Sequence, residues 1–148
     1  MLSFKNILVA IDFGESSNEA LEVALGLAKQ YHSTLTLIHT WEVPSYAYSA
    51  MDFSAMDLLT PVQQAAREQL EGLIADVRKE LPEAKAVLAR GVAWKEILAA
   101  IERGNPDLVV MGTHGRRGIR HALLGSVAER IVRCSPAPVL TVRAKAAA

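Results

Sequence analysis

Net charge is the first thing this chain lacks. Sixteen Lys and Arg side chains balance sixteen Asp and Glu over 148 residues. Such a balance gives no general drive onto nucleic acid or anionic lipid, so neither partner is expected. The single cysteine, Cys134, excludes an internal disulfide and a cysteine-rich zinc site. It lies in a helical pattern and is read as a small, buried or partly buried side chain. No apolar run approaches the ~18–20 residues of a membrane-spanning helix. Residues 1–6 show neither the basic segment nor the long apolar run of a secretory signal, and a cytoplasmic location is expected. Two phosphate motifs are also missing. No segment fits G-x-x-x-x-G-K-S/T. The turn Asp12-Phe13-Gly14-Glu15 lacks the G-x-G-x-x-G of dinucleotide folds, which argues against NAD or FAD. No H-x-x-x-H and no carboxylate cluster stands by the glycine-rich segment, so a metal site built from protein alone is not expected.

What is present is a regular alternation of strand and helix. The apolar run Ile7–Ile11 suits a central strand covered on both faces, and Asp12 ends it. Ser16 and Glu19 have capping-box spacing, which predicts a helix over 17–31 with Leu21, Ala24, Leu25 and Ala28 on its apolar face. Residues 34–41 read as a second strand and complete a βαβ unit, with parallel strands and a right-handed crossover. Residues 42–59 show no clean period. They read as a long loop, either a connector or a cover for a ligand or partner chain. Thr60 as N-cap, Pro61 as first helical residue and Gln63 open a helix that ends at Leu81-Pro82. Residues 84–90 form a less apolar strand suited to a sheet edge. A short helix covers 93–103. Leu108–Met111 is again continuously apolar and so central, a helix covers 126–134, and Val139–Val142 is the last strand.

Five strands alternating with four helices predict one domain over 1–148, a three-layer α/β/α fold with a parallel sheet. Placing the two most apolar strands, first and fourth, side by side gives the order 3-2-1-4-5. Ligands of such sheets bind beyond the carboxyl ends of the strands where the order reverses. That point lies between Asp12 and the segment Gly112-Thr113-His114-Gly115-Arg116-Arg117-Gly118, which continues to Gly125-Ser126-Val127. Glycines let backbone approach a ligand, arginines grip phosphate oxygens, and a helix N-terminus presents unpaired N–H groups. Together they suit a nucleotide phosphate chain.

The spacing Gly112-x-x-Gly115, nine residues, then Gly125-Ser126 resembles the pattern G-2x-G-9x-G-(S/T) of the nucleotide-binding branch of the universal stress protein family. The resemblance extends over the chain: the strand ending in Asp12, the Leu37-Ile38-His39 strand end, and the closing run Pro136-Ala137-Pro138-Val139-Leu140. It implies an adenine-nucleotide alpha hydrolase-like fold and an ATP site, with Mg²⁺ or Mn²⁺ entering through the phosphates. It places Ala10 and Asp12 at the nucleotide, Asp12 on the ribose or metal-bearing side. Thr40 would meet adenine and Met111 border the ribose or base. Gly112, His114, Gly115 and Arg116 would approach ribose and phosphates, and Gly125, Ser126 and Val127 the phosphate chain. It further implies a homodimer paired through the last strand.

Several residues have a second reading. Ser126 is also spaced as a capping box with Glu129, Asp12 as a cap for the turn, and His114 as a loop residue bonded to backbone. His39 reads as a satisfied core histidine. Arg116 and Arg117 suit phosphates, solvent or a partner chain, and Arg120 and His121 suit solvent. A nucleotide-binding regulator of stress response or signalling is favoured over a slow ATP hydrolase or phosphotransferase. For the latter, Asp12, Glu15 and His114 are the acid–base candidates, and their spacing forms no defined catalytic set. A third reading is an interaction protein whose cradle is vestigial or holds another anion.

Overall fold

The computed structural model describes residues 2–43, 56–115 and 124–145. Its described elements run β1 (Asn6–Ile11), α1 (Glu15–Tyr31), β2 (Thr34–Trp41), α2 (Met56–Arg78), β3 (Lys85–Arg90), α3 (Ala93–Gly104), β4 (Leu108–Gly112), α4 (Ser126–Cys134) and β5 (Val139–Val142). The strands form one sheet of order β3-β2-β1-β4-β5, parallel at every pairing, as the apolar patterns predict.

Strand alternation divides the core in two. Ile7, Val9 and Ile11 of β1 point to one face, where they meet Leu35 and Leu37 of β2 and the apolar stripes of α1 and α2. Leu8 points to the other face with Ile38, Val109 and Met111, under Ile97 and Ile101 of α3 and Ala128 and Ile131 of α4. Val9, Val109 and Val110 are fully buried because helices cover β1 and β4 on both faces. Such a buried aliphatic side chain contributes about 1.5–3 kcal/mol each.

Two helix starts and one cap depart from the sequence reading, while the helix over 126–134 has the expected span. α1 begins at Glu15 with Gly14 as its N-cap and no side-chain cap, so Ser16 lies inside the first turn. Ser16 is drawn inward because its hydroxyl has a partner on another element, described below. α2 begins at Met56 and carries Pro61 in its interior, so Thr60-Pro61 does not open it. Proline donates no N–H, and its ring is tolerated best near a helix start. Leu59 packs beside Trp41, Val43 and Ala66 in a small satellite core, which favours extending the helix upstream. α4 has Gly125, not Ser126, as its N-cap, again without a side-chain cap. Glu129 meets Arg133 at 2.7 Å instead of folding back. Cys134 is exposed, contrary to expectation. It is the last residue of a nine-residue helix whose buried residues are Ala128 and Ile131, and the sheet-facing stripe ends before it.

Residues 44–55 of the 42–59 stretch, and Arg116, Arg117, Gly118, Arg120 and His121, lie outside the described residues.

Candidate nucleotide site

The carboxyl ends of β1 and β4 adjoin at the point of chain reversal, and a crevice opens there. The sequence-predicted residues Ala10, Asp12, Thr40, Met111, Gly112, His114, Gly115 and Val127 all line it. Gly125 and Ser126 stand just before Val127, at the start of α4. Arg116 lies outside the described residues. Ile38, Ile97, Ala93, Ala128, Ile11 and Ser17 complete the lining. Three of the wall residues, Ala10, Ala93 and Ala128, are alanines, so β1, α3 and α4 come together without filling the space between them. The result is an apolar slot beside a polar rim, the usual build of a small-molecule site.

Asp12 is held at the rim by a tight turn. Its Oδ1 accepts the Gly14 N–H at 2.8 Å, and its own N–H donates to Ser17 Oγ at 3.0 Å. Closing this turn puts Phe13 at φ 64°, in the left-handed region that bulky residues rarely occupy. The ring is supported there by His39, edge to face at a centroid distance of 4.7 Å. His39 Nδ1 lies 2.7 Å from the Ile11 carbonyl. His39 therefore braces the end of β1 from the opposite face of the sheet and does not line the crevice. The sequence reading of it as a satisfied core histidine holds.

The motif glycines have packing reasons as well as ligand reasons. A Cβ on Gly112 would lie 2.8 Å from the backbone carbonyl carbon of Ser16, so this glycine lets α1 dock on the end of β4. A Cβ on Gly125 would lie 3.2 Å from the Thr113 carbonyl oxygen and 3.3 Å from His114 Cα. The Gly125 N–H donates to that same Thr113 carbonyl at 2.6 Å, pinning the two ends of the glycine-rich loop together. A Cβ on Gly115 would stand 3.3 Å from Asp12 Oδ2. The buried Ser16 hydroxyl donates to the His114 carbonyl at 2.6 Å, and Thr113 Oγ1 lies 3.0 Å from His114 Nδ1. Both ends of the loop are thus fastened to the scaffold.

With the Gly125 amide engaged, the donors that α4 turns outward begin at Ser126. The first-turn N–H groups of a helix have no intrahelical acceptor, and no side chain caps this one. The starts of α1 and α3, at Gly14 and Val92, are likewise without side-chain caps. All three follow strands that end at the crevice side of the sheet, so their partial positive charges gather there.

The fold and site thus define a class: a doubly wound parallel α/β protein with a crevice at the strand reversal, where ligands of such sheets commonly bind. The particular family follows from comparison with known proteins. The profile of the Universal stress protein family matches residues 3–143, and the chain belongs to that family. Universal stress protein MJ0531 of Methanocaldococcus jannaschii is 28% identical over 144 residues, covering 95% of this chain and 82% of its own. Among solved structures, hypothetical protein MJ0577 superposes with a TM-score of 0.82 at 27% identity, covering 99% of this chain and 100% of its own. A universal stress protein in complex with cAMP (19% identity, TM-score 0.70, covering 97% of this chain and 100% of its own) shares the fold. So does a family protein of Arabidopsis thaliana with AMP bound (18% identity, TM-score 0.70, covering 96% of this chain and 93% of its own).

The sequence reading missed the α3 wall. No motif marks Ala93 and Ile97, which follow the third strand. The available signal was the small residue at the start of a helix that follows a strand of the same parallel sheet.

Proposed function

We propose that this protein binds an adenine nucleotide, ATP in particular, at the carboxyl ends of β1 and β4, and acts as a nucleotide-responsive regulator in the stress response. The observation that carries the reading is the junction of two chemistries in one crevice. The slot between Ala10, Ala93 and Ala128 offers apolar walls for a planar base. The start of α4 offers main-chain donors for phosphate. Thr40, Asp12 and His114 line the same crevice, which suits Thr40 as a contact for the base and Asp12 and His114 as contacts for ribose and phosphates. The AMP and cAMP complexes of relatives with this fold support the adenine class. Asp12 is the carboxylate on the crevice wall, which suits an Mg²⁺ or Mn²⁺ ion carried in by the phosphates, since such ions commonly use one carboxylate plus phosphate oxygens and water. The protein is further proposed to be cytoplasmic and homodimeric through β5, an edge strand.

The test is thermal unfolding with ATP, ADP, AMP and NAD. At about a hundredfold excess over the dissociation constant, ATP stabilises the fold by about 2.7 kcal/mol, a Tm rise of about 5–10 °C. NAD gives little. No ATP-dependent rise at millimolar nucleotide removes the reading. Mass spectrometry of the denatured protein then identifies any nucleotide carried through purification.

A further inference from the structure

The slot has two walls on separate helices, Ala93 and Ile97 on α3 against Val127 and Ala128 on α4. Next to Ala93 stands Trp94, and one turn along α4 from Val127 stands Arg130. The Arg130 guanidinium lies over the Trp94 ring, 4.3 Å from its centroid. Lys95 approaches the same ring at 5.4 Å, but from Trp94's own helix, so it ties nothing across the gap. Arg130 forms no ion pair among the described residues, whereas its neighbours Glu129 and Arg133 pair with each other. The indole face is therefore the interaction that Arg130 has across to α3.

We propose that Arg130 is a positioning residue for the nucleotide: stacked on Trp94, it fixes the separation of α3 and α4 and with it the width of the base slot. This rests on the adenine-nucleotide reading above. At the level of Ala93 and Ala128 the slot walls carry only methyl groups, so a contact between α3 and α4 outside the slot bears on their separation there. Trp94 packs against the core cluster formed by Ile97, Ala128 and Ile131, which makes its ring a firm platform. The guanidinium rides on that platform from α4, the helix that also carries the phosphate-facing amides. One stack thus links the wall that meets the base to the helix that meets the phosphates.

A double-mutant cycle on ATP affinity tests this, with Arg130→Ala, Trp94→Leu and the double variant, and Arg130→Lys as the conservative control. If the stack sets the slot, each single variant weakens ATP binding by about two- to fivefold. The double variant is then no weaker than the worse single variant, because one interaction has been removed once. Arg130→Lys, which keeps a cation over the ring, recovers part of the loss. In a Trp41→Phe background the emission of Trp94 shifts on adding ATP, and that shift shrinks in Arg130→Ala. Additive losses, or unchanged affinity in Arg130→Ala, overturn the proposal. Failure of the wild-type protein to bind ATP strikes instead at the adenine-nucleotide reading. In that event the same cycle on urea stability decides the stack: additive losses there refute any tie between α3 and α4.

Discussion

The hydroxyl of Ser16 donates to the carbonyl of His114 at 2.6 Å, across 98 positions of sequence. It joins the first turn of α1 to the glycine-rich loop after β4. Gly112 leaves the room for that approach. Ser16 is 5% exposed. Ser16→Ala is expected to cost about 0.5–1.5 kcal/mol, the net worth of the hydrogen bond it removes. Gly112→Ala should cost about 1–3 kcal/mol by overpacking against Ser16. Urea denaturation of both variants checks the pair. Because both act at one contact, the double variant should lose less than the sum.

Ser126 occupies the first position of α4, after Gly125 at φ −70° and ψ 167°. Proline is favoured at that position, and the extended Gly125 is compatible with a following proline. Ser126→Pro therefore removes one N–H and one hydroxyl from the start of α4, beside the crevice, while sparing the helix. Stability should change by under about 0.5 kcal/mol. ATP affinity should fall about 10- to 100-fold, as expected for a lost bond to a charged group. Calorimetric titration alongside thermal unfolding separates the two effects. Equal ATP affinity in variant and parent would show that α4 does not hold the phosphates.

Ala93 opens α3 and lines the slot. Leucine is a good helix former, so Ala93→Leu fills the slot without weakening the helix. The variant should unfold within a few degrees of the parent in the absence of nucleotide, and its Tm should no longer rise with ATP. A retained ATP response would place the base elsewhere.

Leu140, 38% exposed on the edge strand β5, is the natural point at which to break a strand-paired dimer. Light scattering at micromolar concentration should give a dimer mass for the parent and a monomer mass for Leu140→Glu. A monomeric parent would remove the dimer.

The topology was legible because β1 and β4 are apolar throughout, Ile7–Ile11 and Leu108–Met111, and only a central parallel strand needs that. The candidate crevice was legible through Asp12, which follows β1, and the glycines, of which Gly112 and Gly125 are held by close packing. The helix starts were harder to read. Ser16, Thr60 and Ser126 all have the side chain of a cap, but capping depends on where the chain enters the helix. Gly14 and Gly125 take the cap positions on α1 and α4, and the two serines fall inside. The tie from Ser16 to His114 left no local trace, since its partner is a main-chain oxygen far along the chain. Trp94 and Arg130 likewise read separately as an apolar helix residue and a surface cation. Only the packing of α3 beside α4 brings them together.

The starts of α1, α3 and α4 lack side-chain caps on the same side of the sheet. If the proposed nucleotide completes these starts, its docking strengthens three elements at once rather than one. Digestion by a protease, which samples the open chain, should slow in step with ligand saturation. The protein's lifetime would then rise and fall with the supply of the molecule it holds, and abundance itself would become the signal.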